Sequence, residues 1–475
     1  MSQEIRNLEP KVLWNQFANL NAVPRPSKKE ERVIAFMKDF GNQLGLETFE
    51  DEIRNVIIRK PATPGMEKRK PVVLQGHLDM VHQKNADTVF DFDTQGIDMY
   101  VDGDWVRARG TTLGADNGLG VAAIMAILES KDIPHPAIEA LFTIDEETGM
   151  TGALNLKGGI LQGQILLNLD TEEDDEIDIG CAGGIDVTAT AEYDEEATPE
   201  GSVGYTITVK GLNGGHSGMD IHKGLGNANK IMNRLLFDGF DNFGLQIASI
   251  QGGSLRNAIP RESVAKVIIA EVYDEAFVFD MQQIVNEIKS ELKSTEPNLE
   301  IVFEKMETVP VKVMPSIAQF YFVRAMYTAL NGVYRMSADF DGLVETSNNI
   351  AKVVLGNGQL SVQCLTRSSV ESAKMDLANG LRSAFELMGC EVEFSGSYPG
   401  WTPNAKSEIL DVLTSIYEKQ NNEKAKVVAC HAGLECGILG ANYPEMDIIS
   451  FGPTIHGAHS PDERASISSA QKYWK

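Results

Sequence analysis

The sequence predicts an α/β protein whose first domain is interrupted by an inserted α+β domain, and three observations carry this prediction. The 475 residues exceed what one hydrophobic core usually supports, so two domains are expected. Continuous apolar strands alternate with amphipathic helices at both ends of the chain, a pattern typical of a sheet covered on both faces. Between them, strands of alternating polar and apolar residues indicate a half-exposed antiparallel sheet.

The first part of the chain alternates helices with apolar strands. A helix is predicted over 28–41, and strands follow within DEIRNVIIRK (51–60) and PVVLQGHLDMV (71–81). A second helix is predicted over 118–130, before strands in AIEALFTI (137–144) and QILLNLD (164–170). We therefore expect a largely parallel or mixed sheet in this domain.

The pattern changes near Gly183, where alternating strands begin. Helices between these strands are predicted near 223–237, 279–294 and 315–330, and Asn357–Gly358 is a strong hairpin signal. The first pattern resumes with EVEFSG at 391. We therefore assign 1–183 and 391–475 to a discontinuous first domain and 184–390 to the insertion.

The composition of the chain limits the binding partners and the cellular compartment that we expect. The chain has 68 acidic and 42 basic residues, a formal charge of −26, which disfavours nucleic acid and anionic membranes as partners. No apolar stretch approaches the roughly 20 residues that span a bilayer. The five cysteines are an odd number without CxxC spacing, which favours a reducing cytoplasm.

Five separated segments each place a metal-binding residue type where an apolar strand ends or a glycine-rich turn begins. These residues are His77, Asp116, the pair Glu146–Glu147, Asp170 and His459, with His456 as an alternative to His459. Two imidazoles and several carboxylates suit zinc, cobalt or manganese. Because α/β sheets place ligands beyond the carboxyl ends of their strands, we expect these side chains to converge on two divalent ions.

These residues could together hydrolyse an amide. His77 and Asp79 are two apart in a strand and point the same way, so Asp79 can orient the imidazole. Asp116 could bridge two ions, Asp170 could complete the coordination at His77, and one glutamate of the pair could bind while the other acts as a general base. Each residue alone has a commoner structural explanation, as a cap, a solvated loop or a satisfied core histidine. Their shared position at strand ends favours metal-assisted hydrolysis.

The predicted insertion has its own polar cluster. GGHSGMDIHKG contains His216 and His222 among glycines, SLRNAIP carries Asn257 and CLTRSS carries Arg367. His216 and Asn257 could donate hydrogen bonds to a developing oxyanion, and Arg367 could hold a carboxylate. Without a further signal such glycine-rich segments are more often simple turns. His431 and Glu435 in CHAGLECG are additional candidates for substrate contacts.

The motifs GHLDMV, GADNGLG, DEETGMTGA, NLDTEE, GGHSG, RNAIP and HSPDE, in this order, resemble those of the aminoacyl-histidine dipeptidases. That family belongs to the dinuclear zinc peptidases, together with tripeptidase T, carboxypeptidase G and aminoacylase. The resemblance runs from about residue 5 to the C-terminus and favours His459 over His456. It implies a zinc-peptidase α/β/α catalytic domain with an inserted lid domain.

The resemblance also implies how the metals are held. His77 and Asp170 would bind one zinc, Glu147 and His459 the other, and Asp116 would bridge the two. The resemblance therefore implies two divalent ions per subunit. Zinc is the expected metal, and cobalt and manganese fit the same ligands.

The remaining site residues receive roles from the same resemblance. Asp79 would orient His77, Glu146 would be the general base, and His216 would stabilise the tetrahedral intermediate. Asn257 and Arg367 match less closely and are carried over as substrate contacts.

The implied activity is hydrolysis of unblocked dipeptides, including Xaa-His dipeptides such as carnosine, by a hydroxide shared between two metals. A related amide hydrolase, either an aminoacylase or a tripeptidase, is the nearest alternative. A non-catalytic metal-binding relict is disfavoured because Glu146 and Asp79 are both present. The expected partner is a small peptide, and a homodimer through the inserted domain is a further expectation.

Overall fold

The computed structural model describes residues 3–475 and divides into two compact units. The first unit comprises the chain through Gly180, Trp401–Ala429 and Leu434–Lys475. The second unit comprises Cys181–Gly400 and Cys430–Gly433. None of the helices in the described chain combines the length and apolar character that crossing a bilayer requires.

Residues 3–475 contain 25 strands, many of them short. In chain order these strands are β1 Glu47–Glu50, β2 Val56–Lys60, β3 Val72–His77, β4 Met99–Asp102, β5 Trp105–Ala108, β6 Ile138–Thr143, β7 Ile165–Asn168, β8 Glu176–Cys181, β9 Gly183–Glu192, β10 Glu196–Ala197, β11 Ser202–Lys210, β12 Gly215–His216, β13 Gln246–Gly252, β14 Ala258–Ile259, β15 Ser263–Ala270, β16 Glu300–Lys305, β17 Lys312–Val313, β18 Gly332–Met336, β19 Val344–Gly356, β20 Gln359–Ser368, β21 Glu391–Tyr398, β22 Lys426–Cys430, β23 Asp447–Ser450, β24 Ile455–His456 and β25 Arg464–Ser466.

The helices are fewer and most of them cover the sheets. They are α1 Gln3–Arg6, α2 Lys11–Leu20, α3 Glu31–Gln43, α4 Ala115–Glu129, α5 Glu146–Gly149, α6 Thr151–Asn155, α7 Ala228–Phe243, α8 Asp274–Leu292, α9 Ser316–Thr328, α10 Glu371–Glu386, α11 Glu408–Asn421, α12 Glu435–Asn442 and α13 Ile467–Trp474. Short 3-10 turns lie at Ile221–Lys223 and Glu271–Tyr273.

The first unit is built on an eight-stranded mixed sheet in the order β1-β2-β6-β3-β7-β23-β8-β22. The central strands β6, β3, β7 and β23 are parallel to one another, whereas β2 and β8 flank them in the antiparallel direction. β3 aligns Val72 through His77 with Ile138 through Thr143. Two separate apolar cores lie against this sheet, one involving α2 and α4 and the other α6 and α12. Burial on both faces explains the continuous apolar runs of these strands.

The second unit is an antiparallel sheet of nine strands, in the order β16-β11-β15-β13-β19-β20-β9-β21 with β18 against β19. Helices α7 to α10 contribute to its apolar core. The β19–β20 hairpin closes at Asn357–Gly358, and both residues have positive φ angles, 54° and 74°. These angles are those that a two-residue hairpin turn requires, which is why the Asn-Gly pair predicted this turn.

One predicted boundary is wrong. Strand β21 pairs with β9 from Glu391↔Thr190 to Tyr398↔Gly184, so it extends the second sheet. The chain returns to the first unit at Trp401 instead of at residue 391. The alternating side chains of EVEFSG fit a half-exposed edge strand, and that period belongs to the second sheet more than to the buried strands of the first.

Candidate metal centre

The predicted ligands emerge at one edge of the first unit's sheet. His77 ends β3, Asp170 follows β7, and the glutamate pair begins α5 just after β6. These three strands are parallel neighbours, so their carboxyl ends meet. Asp116 lies where a loop enters α4, with non-helical backbone angles (φ −80°, ψ 114°), and His459 lies in the loop between β24 and β25.

The imidazoles and carboxylates converge at this edge around Asp116. His77 Nε2 lies 3.1 Å from Asp116 Oδ1 and 3.5 Å from Asp170 Oδ1. His459 Nε2 lies 3.2 Å from Asp116 Oδ2 and 3.0 Å from Glu147 Oε2. Asp116 therefore presents one carboxylate oxygen to each histidine, the arrangement that a bridging ligand requires.

The spacing of these atoms fits two cations. Ligand atoms about 2.0–2.1 Å from a tetrahedral zinc ion stand roughly 3.3 Å apart, close to the separations just given. His77, Asp116 and Asp170 form one compact ligand group, and Asp116, Glu147 and His459 form another. Within residues 3–475, the buried Oε1 of Glu147 and Oδ1 of Asp170 have no hydrogen-bond partner. Unsatisfied buried acceptors are uncommon, and bound cations would satisfy these two.

Asp79 holds the histidine and the glutamate pair together. His77 Nδ1 lies 3.2 Å from the backbone oxygen of Asp79 and 3.4 Å from its Oδ1, so Nδ1 carries a hydrogen. Nε2 faces the carboxylates of Asp116 and Asp170, where a cation would take the place of its hydrogen. The Asp79 carboxylate also accepts the backbone N–H groups of Glu146, at 3.0 Å, and Glu147, at 3.3 Å. One buried side chain thus orients residues from β3 and α5.

The electrostatics of this cluster favour cations. Burial lowers the pKa of His77, but the carboxylates of Asp170 and Asp116 outweigh burial and raise it well above the ordinary value. Hydrogen bonds to Asp116 and Glu147 raise the pKa of His459 to about 11. Burial raises the pKa values of Glu147 and Asp170 because it disfavours the charged form, and repulsion from the Asp116 carboxylate raises them further.

Glu146 makes longer contacts than these ligands, although it forms a further group of metal-binding side chains with His77 and Glu147. Its Oε2 lies 4.0 Å from His77 Nε2, farther than any of the four contacts that surround Asp116. Burial raises the pKa of Glu146 well above that of an ordinary glutamate. Although Glu146 and Glu147 are adjacent, the structure gives His459 Nε2 a close contact with Glu147 only.

In the second unit, His216 is held as one tautomer. The backbone N–H groups of Gly218 and Met219 donate to its Nδ1 over 3.2 and 3.1 Å, so the ring hydrogen lies on Nε2. Burial and the nearby charge of Arg367 lower the pKa of His216 to about 4. The ring is therefore neutral at physiological pH and offers a single N–H donor.

Asn257 and Arg367 both contact Ser217, the residue that follows this histidine. β12 pairs with β14 so that His216 faces Ala258, and the carbonyl of Asn257 accepts the backbone N–H of Ser217. Arg367 is 4% exposed, and its guanidinium donates to Tyr398 Oη at 2.9 Å and to Ser217 Oγ at 3.4 Å. Both partners are neutral, so the charge of Arg367 is not neutralised by them.

Three other histidines of the sequence analysis are placed elsewhere. His456 Nε2 lies 3.3 Å from Glu173, and its ring packs against Trp105, outside the ligand groups. His431 is buried and contacts Ser347 Oγ at 2.8 Å in the second unit. His222 is exposed on a 3-10 turn.

Glu435 lies in the interior of the first unit, within electrostatic reach of His77 and Asp170, and its Oε1 has no hydrogen-bond partner among residues 3–475. It is fully buried at the start of α12, and its Oε2 accepts from Gln75 Nε2 at 2.6 Å and Thr143 Oγ1 at 2.7 Å. Burial raises its pKa to about 7. Glu435 therefore belongs to a buried network that joins β3 and β6, which the loop-like sequence CHAGLECG did not indicate.

Two residues that organise the site were missed by the sequence analysis. Glu463 and Arg25 are both buried and contact the loop that carries Asp116. Glu463 lies within the HSPDE motif, so its position was signalled but its role was not. Arg25 lies in a proline-flanked turn, AVPRPS, and no rule of spacing distinguishes it there.

A cluster of two imidazoles and several carboxylates, placed beyond the strands of a mixed α/β sheet, defines a hydrolase of the metallopeptidase class. Residues 73–475 match the sequence profile of Peptidase family M20/M25/M40. The chain is 43% identical, over 99% of its length and 97% of the relative's, to the cytosol non-specific dipeptidase of Escherichia coli (strain K12). The chain therefore belongs to peptidase family M20/M25/M40.

Solved structures show the same fold. The aminoacylhistidine dipeptidase of Vibrio alginolyticus superposes with a TM-score of 0.93 at 44% identity, covering 99% of this chain and 96% of that one. A tripeptidase from Staphylococcus aureus gives a TM-score of 0.56 at 16% identity, covering 98% and 96% of the two chains. The second likeness supports the fold alone.

Proposed function

We propose that this protein is a metal-dependent dipeptidase that hydrolyses unblocked dipeptides, Xaa-His dipeptides such as carnosine among them. The observation that carries the proposal is the Asp116 carboxylate, which offers one oxygen to His77 and the other to His459. The peptidase family supports peptide-bond hydrolysis, and two relatives at 43% and 44% identity are named as dipeptidases.

We propose that His77 and Asp170 hold one divalent ion, that Glu147 and His459 hold a second, and that Asp116 contacts both. Nitrogen and oxygen ligands at these separations suit zinc first, and cobalt or manganese as well. Such ions, when bound, polarise a carbonyl and lower the pKa of the water that attacks it. Asp79 fixes the ring of His77 so that Nε2 stays directed at its ion.

Glu146 is the proposed general base. It is close to the ligands without the short contacts that Glu147 makes, and its backbone is fixed by Asp79. It would accept a proton from the attacking water and then deliver that proton to the leaving amine. A raised pKa suits both steps, because the group must take up the proton and later release it.

His216 is proposed to donate its Nε2–H to the oxyanion that forms during attack. Replacing His216 by alanine is expected to lower kcat by about 100- to 1,000-fold, because one preorganised oxyanion donor is lost. His216→Gln should recover part of this loss, because its amide N–H is also a donor. Steady-state kinetics of the two variants make this comparison.

The pH profile gives an independent check on His216. Its lowered pKa of about 4 means that the ring stays neutral as the pH rises above that value. The wild-type kcat profile should therefore show no limb from His216 between about pH 5 and pH 9. A limb in that range that disappears in His216→Gln would contradict the neutral-donor role.

Arg367 is proposed to bind the α-carboxylate of the dipeptide, and Asn257 to contact the peptide backbone. The hydrogen-bond partners of this buried guanidinium are neutral, and the nearby Asp186 is paired with Arg256, so a substrate carboxylate would add a direct ion pair to Arg367. This proposal distinguishes free dipeptides from substrates whose C-terminus is blocked.

A panel of small substrates tests the proposed specificity. We expect free dipeptides, including carnosine, to be hydrolysed faster than tripeptides, N-acetyl amino acids or C-terminally amidated dipeptides, as measured by amino acid release. Turnover of N-acetyl amino acids alone would identify an aminoacylase, and turnover of tripeptides alone a tripeptidase. If no member of the panel is hydrolysed by the metal-loaded protein, the non-catalytic alternative holds.

We also propose a cytoplasmic location and a homodimer. The name of the Escherichia coli relative supports the cytosol, and the cysteine pattern agrees with it. The dimer is proposed to form through the second unit, with the β19–β20 hairpin as an edge. A formal charge of −26 argues against nucleic acid and anionic membranes as partners.

A further inference from the structure

A buried carboxylate holds the loop that carries Asp116 by its backbone N–H groups. Glu463 Oε2 accepts from Leu113, at 2.7 Å, and Gly114, at 2.9 Å. Its Oε1 accepts from Ala115, at 2.7 Å, and Asp116, at 3.3 Å. Glu463 is 2% exposed, so four successive N–H groups of one loop converge on a single carboxylate that is shielded from water.

A buried guanidinium holds the same loop by a carbonyl. Arg25 Nη2 donates to the backbone oxygen of Gly114, and Nη1 donates to those of Leu78 and Asp79, each at 3.0 Å. Arg25 is 1% exposed. It therefore joins the Asp116 loop to the segment that directly follows His77.

The fit between the loop and the guanidinium leaves no space for a side chain. Gly114 has a φ of +67°, and a Cβ there would lie 2.7 Å from Arg25 Nη2. A Cβ on Gly118 would lie 2.6 Å from the same nitrogen. Glycine at both positions lets the backbone approach Arg25 closely enough for these hydrogen bonds.

We propose that Glu463 and Arg25 are positioning residues that set the affinity of the metal centre by fixing Asp116 between the two histidines. Glu463 follows His459 by four residues in one loop, so this loop supplies a ligand to one ion and places the ligand shared by both. The proposal rests on the proposed metal centre. Groups that orient metal ligands typically contribute 10- to 100-fold to metal affinity, which gives the size of the expected effect.

Zinc affinity of the Glu463→Gln variant tests this role. Glutamine keeps one oxygen but turns an NH2 group toward two of the N–H donors. The loop therefore loses two of the four hydrogen bonds that it donates to Glu463. We expect zinc to bind about 10- to 100-fold more weakly, measured by titrating the metal-free protein against a chromophoric chelator. Arg25→Lys keeps the charge but loses the planar guanidinium that donates to three carbonyls. We expect this variant to bind zinc about tenfold or more weakly than the wild type.

Glu139 provides a matched control. It is 5% exposed, and its carboxylate accepts the backbone N–H groups of Gln162, at 2.6 Å, and Gly163, at 2.8 Å. It lies near the first residue of β6, whereas the metal ligands follow the last. Its carboxylate also pairs with Arg59 Nε at 3.0 Å, so Glu139→Gln should lower thermal stability while zinc affinity stays at the wild-type value.

The outcomes separate this proposal from the metal centre itself. Failure of the wild-type protein to bind two zinc ions removes the metal centre, and this inference with it. Two ions in the wild type, with unchanged affinity in Glu463→Gln, overturn the positioning role alone. An equal loss of zinc affinity in Glu139→Gln also overturns the positioning role, because general destabilisation of the fold would then explain the loss in both variants. If Glu463→Gln does not fold, Arg25→Lys decides, and wild-type affinity there overturns the proposal.

Discussion

Replacing Glu146 by alanine is expected to lower kcat by about 100- to 10,000-fold while both cations remain bound. The loss is that of a general base, which usually contributes a factor of this size. The cations remain because the short contacts to His459 and His77 come from Glu147, Asp116 and Asp170. Kinetics and metal analysis on the same preparation measure both parts.

Two companion variants sharpen this prediction. Glu146→Gln keeps the shape of the side chain and should be nearly as inactive, which excludes a packing explanation. Glu147→Ala should lose metal as well as activity, because Glu147 Oε2 lies 3.0 Å from His459 Nε2. Wild-type turnover in a Glu146→Ala protein that holds two ions would remove the role of this glutamate.

The convergence of His77, Asp170 and the Glu146–Glu147 pair was predictable, because each lies at or just after the end of an apolar strand. An apolar strand that stops at His77 or just before Asp170 indicates the carboxyl edge of a sheet, and parallel pairing then brings these ends together. The Asn357–Gly358 turn was predictable for a similar reason, because few residues tolerate positive φ at both positions. In these cases the chemistry of a few adjacent residues determines the structure.

The residues that were missed act through contacts between distant parts of the chain. Glu463 binds the N–H groups of a loop about 350 residues earlier, and the HSPDE motif that contains it does not show which groups its carboxylate binds. Arg25 reaches three carbonyls from two other segments. The edge strand Glu391–Tyr398 was assigned to the wrong sheet for a related reason. The residue pattern of a strand predicts its conformation but not the strand with which it pairs.

Removing the cations is expected to abolish hydrolysis and to destabilise the fold at the ligand cluster. Without them, Asp116, Glu147 and Asp170 leave several carboxylates crowded in a buried site, where like charges repel. An ion present at 100 times its Kd stabilises the folded state by about 2.7 kcal/mol, so each ion should raise the unfolding free energy by an amount of this order. Activity assays and thermal unfolding before and after exhaustive chelation measure both effects.

Adding back zinc, cobalt or manganese should restore activity, whereas magnesium should restore little, because two of the proposed ligands are imidazoles. His77→Ala and His459→Ala form a matched pair for the stability measurement. If each histidine holds one ion, each variant should bind one of the two ions poorly and lose most of the stabilisation that this ion provides. The other ion should still bind and should still provide part of its stabilisation. Full activity after chelation, or equal stability with and without added zinc, would show that the carboxylates and imidazoles around Asp116 do not serve as a metal centre.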